Sequence, residues 1–213
     1  MRKIFFTLTI VPFLFVSSLA QAEYEGTTVG LNWGKFAAYA EGKETVDGTS
    51  ATTQGDGAFE ADTASIFIEA DLGKIALGVD YMIEGAVSPE NTNAVRGSTN
   101  TAKVEIEELV NIYVTLDVYA GLYVKAGYAH GSIQSLEVVT TNSQTGGTVG
   151  DQDIDGMTIG LGIKHELDNG LQLRAELSVS EYDDFSVTDD SGDKYDFNNI
   201  YTGRAVIGLA KTF

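Results

Sequence analysis

The chain of 213 residues has no cysteine, two histidines and two prolines. Lack of cysteine excludes a disulfide scaffold, a thiol nucleophile and a thiolate-held zinc or iron–sulfur centre. His130 and His165 are too few for a three-histidine metal site. Basic residues are scarce as well. Past residue 22 there are 11 Lys and Arg against 31 Asp and Glu, a formal charge of −20. That balance makes a poor match for phosphate backbones, so no nucleic-acid partner is expected. Beyond the first 22 residues no apolar run approaches the roughly 18 residues of a spanning helix. Present instead are 24 Gly, 10 Tyr and 10 Phe, with Pro89 the one proline after Pro12. This is a composition of strands and turns, in a length that suits one domain.

Residues 1–22 begin with Arg2 and Lys3, run apolar from Ile4 to Leu19 and end Ala20-Gln21-Ala22. A positive start, an apolar stretch and a small-x-small ending make a secretory signal peptide. The mature domain is expected to span 23–213, outside the cytoplasm.

Read at period two, that domain resolves into eight segments with one apolar face each. In 74–85, Ile75, Leu77, Val79, Tyr81 and Ile83 oppose Ala76, Gly78, Asp80, Met82 and Glu84. In 155–167, Met157, Ile159, Leu161 and Ile163 oppose Thr158, Gly160, Gly162 and Lys164. In 171–180, Leu171, Leu173, Ala175, Leu177 and Val179 oppose Gln172, Arg174, Glu176 and Ser178. The last segment carries Ala205, Ile207 and Leu209 and ends at Phe213, and weaker segments occupy 28–40, 61–72, 103–116 and 119–132. Tight turns are expected at 71–73, 116–118 and 168–170, the last with the Asn-Gly hairpin pair. They alternate with long polar stretches at 41–60, 86–102, 133–154 and 181–199. All short turns therefore fall at one end of an antiparallel sheet and all long connections at the other.

Alternation does not say which face points outward. A soluble lipocalin-like carrier would enclose the apolar face; a membrane barrel presents it to lipid. Glycine gathers on the polar face (Gly78, Gly127, Gly160, Gly162, Gly208), as a crowded lumen requires. Tyr81, Tyr128, Tyr201 and Phe213 lie near strand ends on the apolar face, as interfacial girdles do. Segments of about 10 to 13 residues match tilted spanning strands. The expected fold is thus all-β, an eight-stranded antiparallel up-and-down transmembrane β-barrel.

In signal peptide, three turns, four long loops and a terminal Phe213, the chain resembles small eight-stranded outer-membrane barrels of the OmpA, OmpX and opacity-protein type. The resemblance implies a monomer in a Gram-negative outer membrane, in contact with its lipids and lipopolysaccharide. It also implies assembly by the barrel-assembly machinery, with Phe213 as part of the signal. Lys211 departs from that signal, standing where a second apolar residue is usual.

An outward apolar face sends Glu69, Asp80, Glu84, Glu105, Glu107, Lys125, Lys164, Arg174, Glu176 and Arg204 into the lumen. Eight strands leave room for side chains only, so these charges must pair. A plug is expected; the alternative is a narrow cation-preferring channel. Glu108 breaks the alternation, and a bulge or an early strand end near the outer rim would accommodate it.

Three further features carry chemistry. Asp151, Asp153, Asp155 and Gly156 copy half of a calcium loop, but Gly162 stands where the closing Glu belongs. That excludes an EF-hand and leaves a looser Ca²⁺ site; no other cofactor is expected. The last loop carries Glu181, Asp183, Asp184, Asp189, Asp190, Asp193 and Asp196 among Tyr182, Phe185, Tyr195 and Phe197. Acids beside aromatics suit an extracellular ligand or partner surface. His130-Gly131-Ser132 is similar to the His-x-Ser pair of the lipid A deacylase family, with Glu137 the nearest acid in sequence. The functional expectation is a non-enzymatic structural or surface role: membrane integrity, adhesion or masking. A channel, a lipid A-modifying enzyme and a soluble periplasmic carrier are the alternatives.

Overall fold

The computed structural model describes residues 25–45, 52–83, 85–88, 91–95, 98–102, 105–134, 136–137, 139–141, 148–149, 151–188 and 192–213. The expected signal peptide, Glu84, Asp189 and Asp190 lie outside these residues.

Eight long strands form the frame: β1 (Gly26–Thr45), β2 (Thr52–Leu72), β3 (Ile75–Met82), β4 (Glu105–Tyr119), β5 (Leu122–Gln134), β6 (Gln152–Glu166), β7 (Leu171–Tyr182) and β8 (Lys194–Thr212). Each pairs antiparallel with the next, and β1 closes on β8 from Thr28 opposite Thr212 to Thr45 opposite Lys194. Where all eight overlap the ring therefore has no free edge, while β2 from Thr52 to Thr63 reaches beyond β3 and is paired with β1 alone among the described residues. Ala86–Val87 adds a short pairing beside Ile106 and Glu105, and Phe185–Thr188 pairs back onto the start of β8.

The apolar parity faces out. Along β7 exposure alternates residue by residue, with Leu173, Leu177 and Val179 outward and Gln172, Arg174 and Ser178 buried inward. Leu161 and Leu173 are 53% and 49% exposed. Ile75 shares their parity yet is buried, where it stands between Leu72 and Leu116 beside the first turn. The girdle aromatics Tyr81, Tyr128 and Phe213 are exposed. Inside, glycine makes room for rings: a Cβ on Gly78 would fall within the Tyr113 ring, and one on Gly162 within that of Tyr123.

Three expectations are corrected. The second turn lies at Ala120–Gly121, not at 116–118, because these two residues take left-handed backbone (φ 46° and 84°), the geometry of a tight hairpin. Much of the stretch at 41–60 is strand, since β1 runs to Thr45 and β2 starts at Thr52. Similarly, β8 begins within 181–199. The added part of β1 is polar on both parities, whereas at the start of β8 Tyr195 and Phe197 alternate with Lys194, Asp196 and Asn198, a short signal inside an acidic stretch.

The barrel interior as candidate functional site

The β2, β4 and β5 residues nearest the short turns send carboxylates, tyrosines and a lysine inward, and β7 meets them with a guanidinium. Arg174 places Nη1 and Nη2 each 3.0 Å from Glu69 Oε1, and the Tyr113 hydroxyl donates to the same oxygen at 2.9 Å. The guanidinium also lies over the Phe67 and Tyr123 rings, at 4.7 and 5.1 Å. Lys125 donates to Glu176 at 2.8 Å and sits 4.1 Å from the Tyr113 ring centre. Tyr123 donates to the other oxygen of Glu176 at 2.9 Å. Each charge is thus both paired and packed.

Higher in the lumen, Arg204 donates to Asp80 at 2.8 Å and to Ser65 Oγ at 2.8 Å, while Ser65 and Asn32 donate to Asp80 Oδ2. The pairs link β2 to β7, β3 to β8 and β5 to β7. They therefore cross the lumen rather than follow one wall. Lys164 meets Asp117 at 2.8 Å near the turns. Asp117, expected in a turn, lies on β4 facing inward, because the turn sits at Ala120–Gly121.

Of the ten expected lumen charges the structure joins six as the pairs Glu69–Arg174, Asp80–Arg204 and Glu176–Lys125. Lys164 pairs with an unforeseen acid. Glu105 and Glu107 do not join them. Glu108 has φ 53°, and the β4–β5 register slips by one residue between Glu107 and Val110. That bulge inverts the parity beyond it: Ile106 turns inward and is buried, while Glu105 and Glu107 turn outward.

Consequently the end of the lumen beyond the ion pairs is apolar, which the sequence reading did not foresee. Phe36, Met82, Ile106, Leu109, Ile154 and Ile200 form one buried cluster there. Above it opens a cavity of about 580 Å³, lined by Ala38, Ala40, Phe59, Ile133 and Phe197 and rimmed by Lys43, Glu44 and Asp56. The Tyr195 hydroxyl reaches Glu44 at 3.4 Å.

Outside the same end, His130 Nδ1 lies 2.8 Å from Asp155 Oδ1, to which the Tyr128 hydroxyl also donates at 2.6 Å. Asp155 is an acid beside the imidazole that the sequence spacing does not show, and the Glu137 side chain lies outside the described residues. Ser132 stands two residues further along β5, and no hydrogen bond joins it to His130 among the described residues. Asp153 and Asp155 follow one another along the outward parity of β6, Asp151 stands just before its start, and among the described residues no three metal-ligating side chains converge.

The hydrogen bond that His130 donates to Asp155 raises the His130 pKa, and the bonds from Tyr128 and then His130 lower that of Asp155. The contact thus contributes fully below the ordinary histidine value of 6.5 and is lost as pH rises through the raised one. On the acid side it is lost as Asp155 protonates, below the usual carboxylate range. An NMR titration is expected to place His130 above 6.5, and Asp155→Asn to bring it back. An unchanged midpoint in that variant would disprove the coupling.

Residues 6–206 match a family model described as the outer membrane protein beta-barrel domain. No curated protein matches the sequence. Among solved structures, the chain is similar to the outer membrane protein OprG from Pseudomonas aeruginosa, at 10% identity and a TM-score of 0.57 over 89% of this chain and 98% of that one. It is also similar to the outer membrane protein AlkL, solved in DMPC lipid bilayers, at 13% identity and a TM-score of 0.50 over 90% and 92% of the two chains. At these identities the likeness is one of fold.

Proposed function

Because the chain belongs to the outer membrane protein beta-barrel domain family, residing in the Gram-negative outer membrane, we propose that it is a non-conducting barrel that works at its extracellular end. Short turns then face the periplasm and the long acidic connections the exterior. The supporting observation is the set of three ion pairs, Glu69–Arg174, Asp80–Arg204 and Glu176–Lys125, that cross the lumen. Held so closely by cations and hydroxyl groups, these three carboxylates are not free to escort a permeating cation. The outward apolar band meets acyl chains, and the acidic rim faces lipopolysaccharide and the medium. Its role is structural or interactional: membrane integrity, masking or adhesion.

Purified protein in planar bilayers should pass no steady ionic current at neutral pH. A reproducible ohmic step would replace this reading with the cation channel.

A further inference from the structure

We propose that the extracellular cavity binds a small hydrophobic cation, an apolar body with one positive charge, taken up from the medium. The proposal rests on the reading above, in that the ion pairs make this cavity a dead end rather than one stage of a pore.

The first support is room where an eight-stranded barrel is ordinarily filled by its own side chains. Phe36 on β1 points inward and is fully buried, whereas Ala38 and Ala40, next on the same parity, are only half-buried. Phe59, Ile133 and Phe197 also line the cavity and also keep part of their surface exposed. Small residues at consecutive inward positions of β1 leave about 580 Å³ unfilled, a volume within the range of small-molecule sites. Its walls are aliphatic and aromatic, so water there lacks partners and an apolar body displaces it favourably.

The second support is charge. The rim carries Glu44 and Asp56 against Lys43, and the surrounding described residues add Glu41, Glu60, Asp184 and Asp196. Lys194 pairs with Asp196 at 2.6 Å, so two lysines stand against six carboxylates; the net negative field concentrates cations at the mouth and repels anions. Tyr195 stands with its hydroxyl at Glu44 and its ring on the cavity wall. A carboxylate beside an aromatic ring suits an ammonium head.

The isoleucines make the test direct, because Ile106, Ile133, Ile154 and Ile200 line the cavity while Ile159, Ile163 and Ile207 are outward and exposed. The full chain is placed in nanodiscs of zwitterionic lipid with its isoleucine methyls labelled. It is then titrated with 1-naphthylmethylammonium and, separately, with 1-naphthylacetate. The inward methyls should shift saturably with the ammonium, and the carboxylate should bind about tenfold more weakly or less. Ala40→Trp, which fills the cavity above the buried cluster, should abolish the saturable shift while the heat-modifiable gel mobility of a folded barrel persists. Inward and outward methyls shifting together without saturation would mean partition into lipid and overturn the site. Equal binding of the two probes, or unchanged binding in Ala40→Trp, would overturn it too. A conducting barrel that still binds would sink the plug alone; a silent barrel that does not bind would sink this site alone.

Discussion

Replacing Glu69 with alanine should cost the folded barrel roughly 3–5 kcal/mol, the usual penalty for stranding one partner of a buried ion pair. The side chains of Arg174 and Glu69 are 5% and 2% exposed, so solvent cannot take over from the lost carboxylate. Two guanidinium nitrogens and the Tyr113 hydroxyl converge on one Glu69 oxygen, and all three would lose their acceptor together. Exchanging both partners for apolar residues, Glu69→Leu with Arg174→Met, should recover most of the loss, since no charge then remains to be solvated. Urea unfolding in lipid vesicles gives both numbers. A loss below about 1 kcal/mol in the single variant would mark the pair as solvent-screened and the lumen as wet.

Leu161→Arg should cost about 2–4 kcal/mol, the price of a cation on the lipid face near the bilayer midplane. Leu161 is outward and stands opposite Leu177 and Val124. On β6 it lies halfway between Met157, level with the girdle residue Tyr128, and His165 near the turns. Met157→Arg, at the girdle, should cost about 1 kcal/mol or less, because the penalty falls toward the interface. Equal costs at the two depths, measured in the same vesicles, would mean that no hydrocarbon gradient crosses this face.

The sequence carries parity well and phase across an irregularity badly. Leu173, Leu177 and Val179 alternate with Gln172, Arg174 and Ser178, so their facing follows once glycine marks the crowded side. The same rule fails at Glu105 and Glu107, because one left-handed residue at Glu108 reverses every side chain beyond it. The broken alternation marks Glu108 as the place of a bulge or a strand end, and the structure has the bulge there; the reversed parity beyond it is what the pattern does not carry. Partner choice is equally hidden: that Arg174 meets Glu69, 105 residues away, depends on the ring's register and not on either strand's pattern. The apolar cavity is hidden from the sequence for a related reason. An outward apolar face suggests a polar interior, and only closure of the ring shows Phe36, Ile106, Ile154 and Ile200 meeting above the charges. Phe213 lies exposed at the end of the short turns, its backbone bonded to Thr27.

Everything turns on which side of the wall meets acyl chains, and the absence of native cysteine makes a spin-label scan the direct measurement. Nitroxides placed singly at residues 171–179 in bilayers should show oxygen accessibility that peaks at positions 171, 173, 175, 177 and 179 and falls at the positions between. The opposite phase, with labels at Gln172, Glu176 and Ser178 meeting lipid-dissolved oxygen, would turn the barrel inside out and return the chain to the soluble carriers.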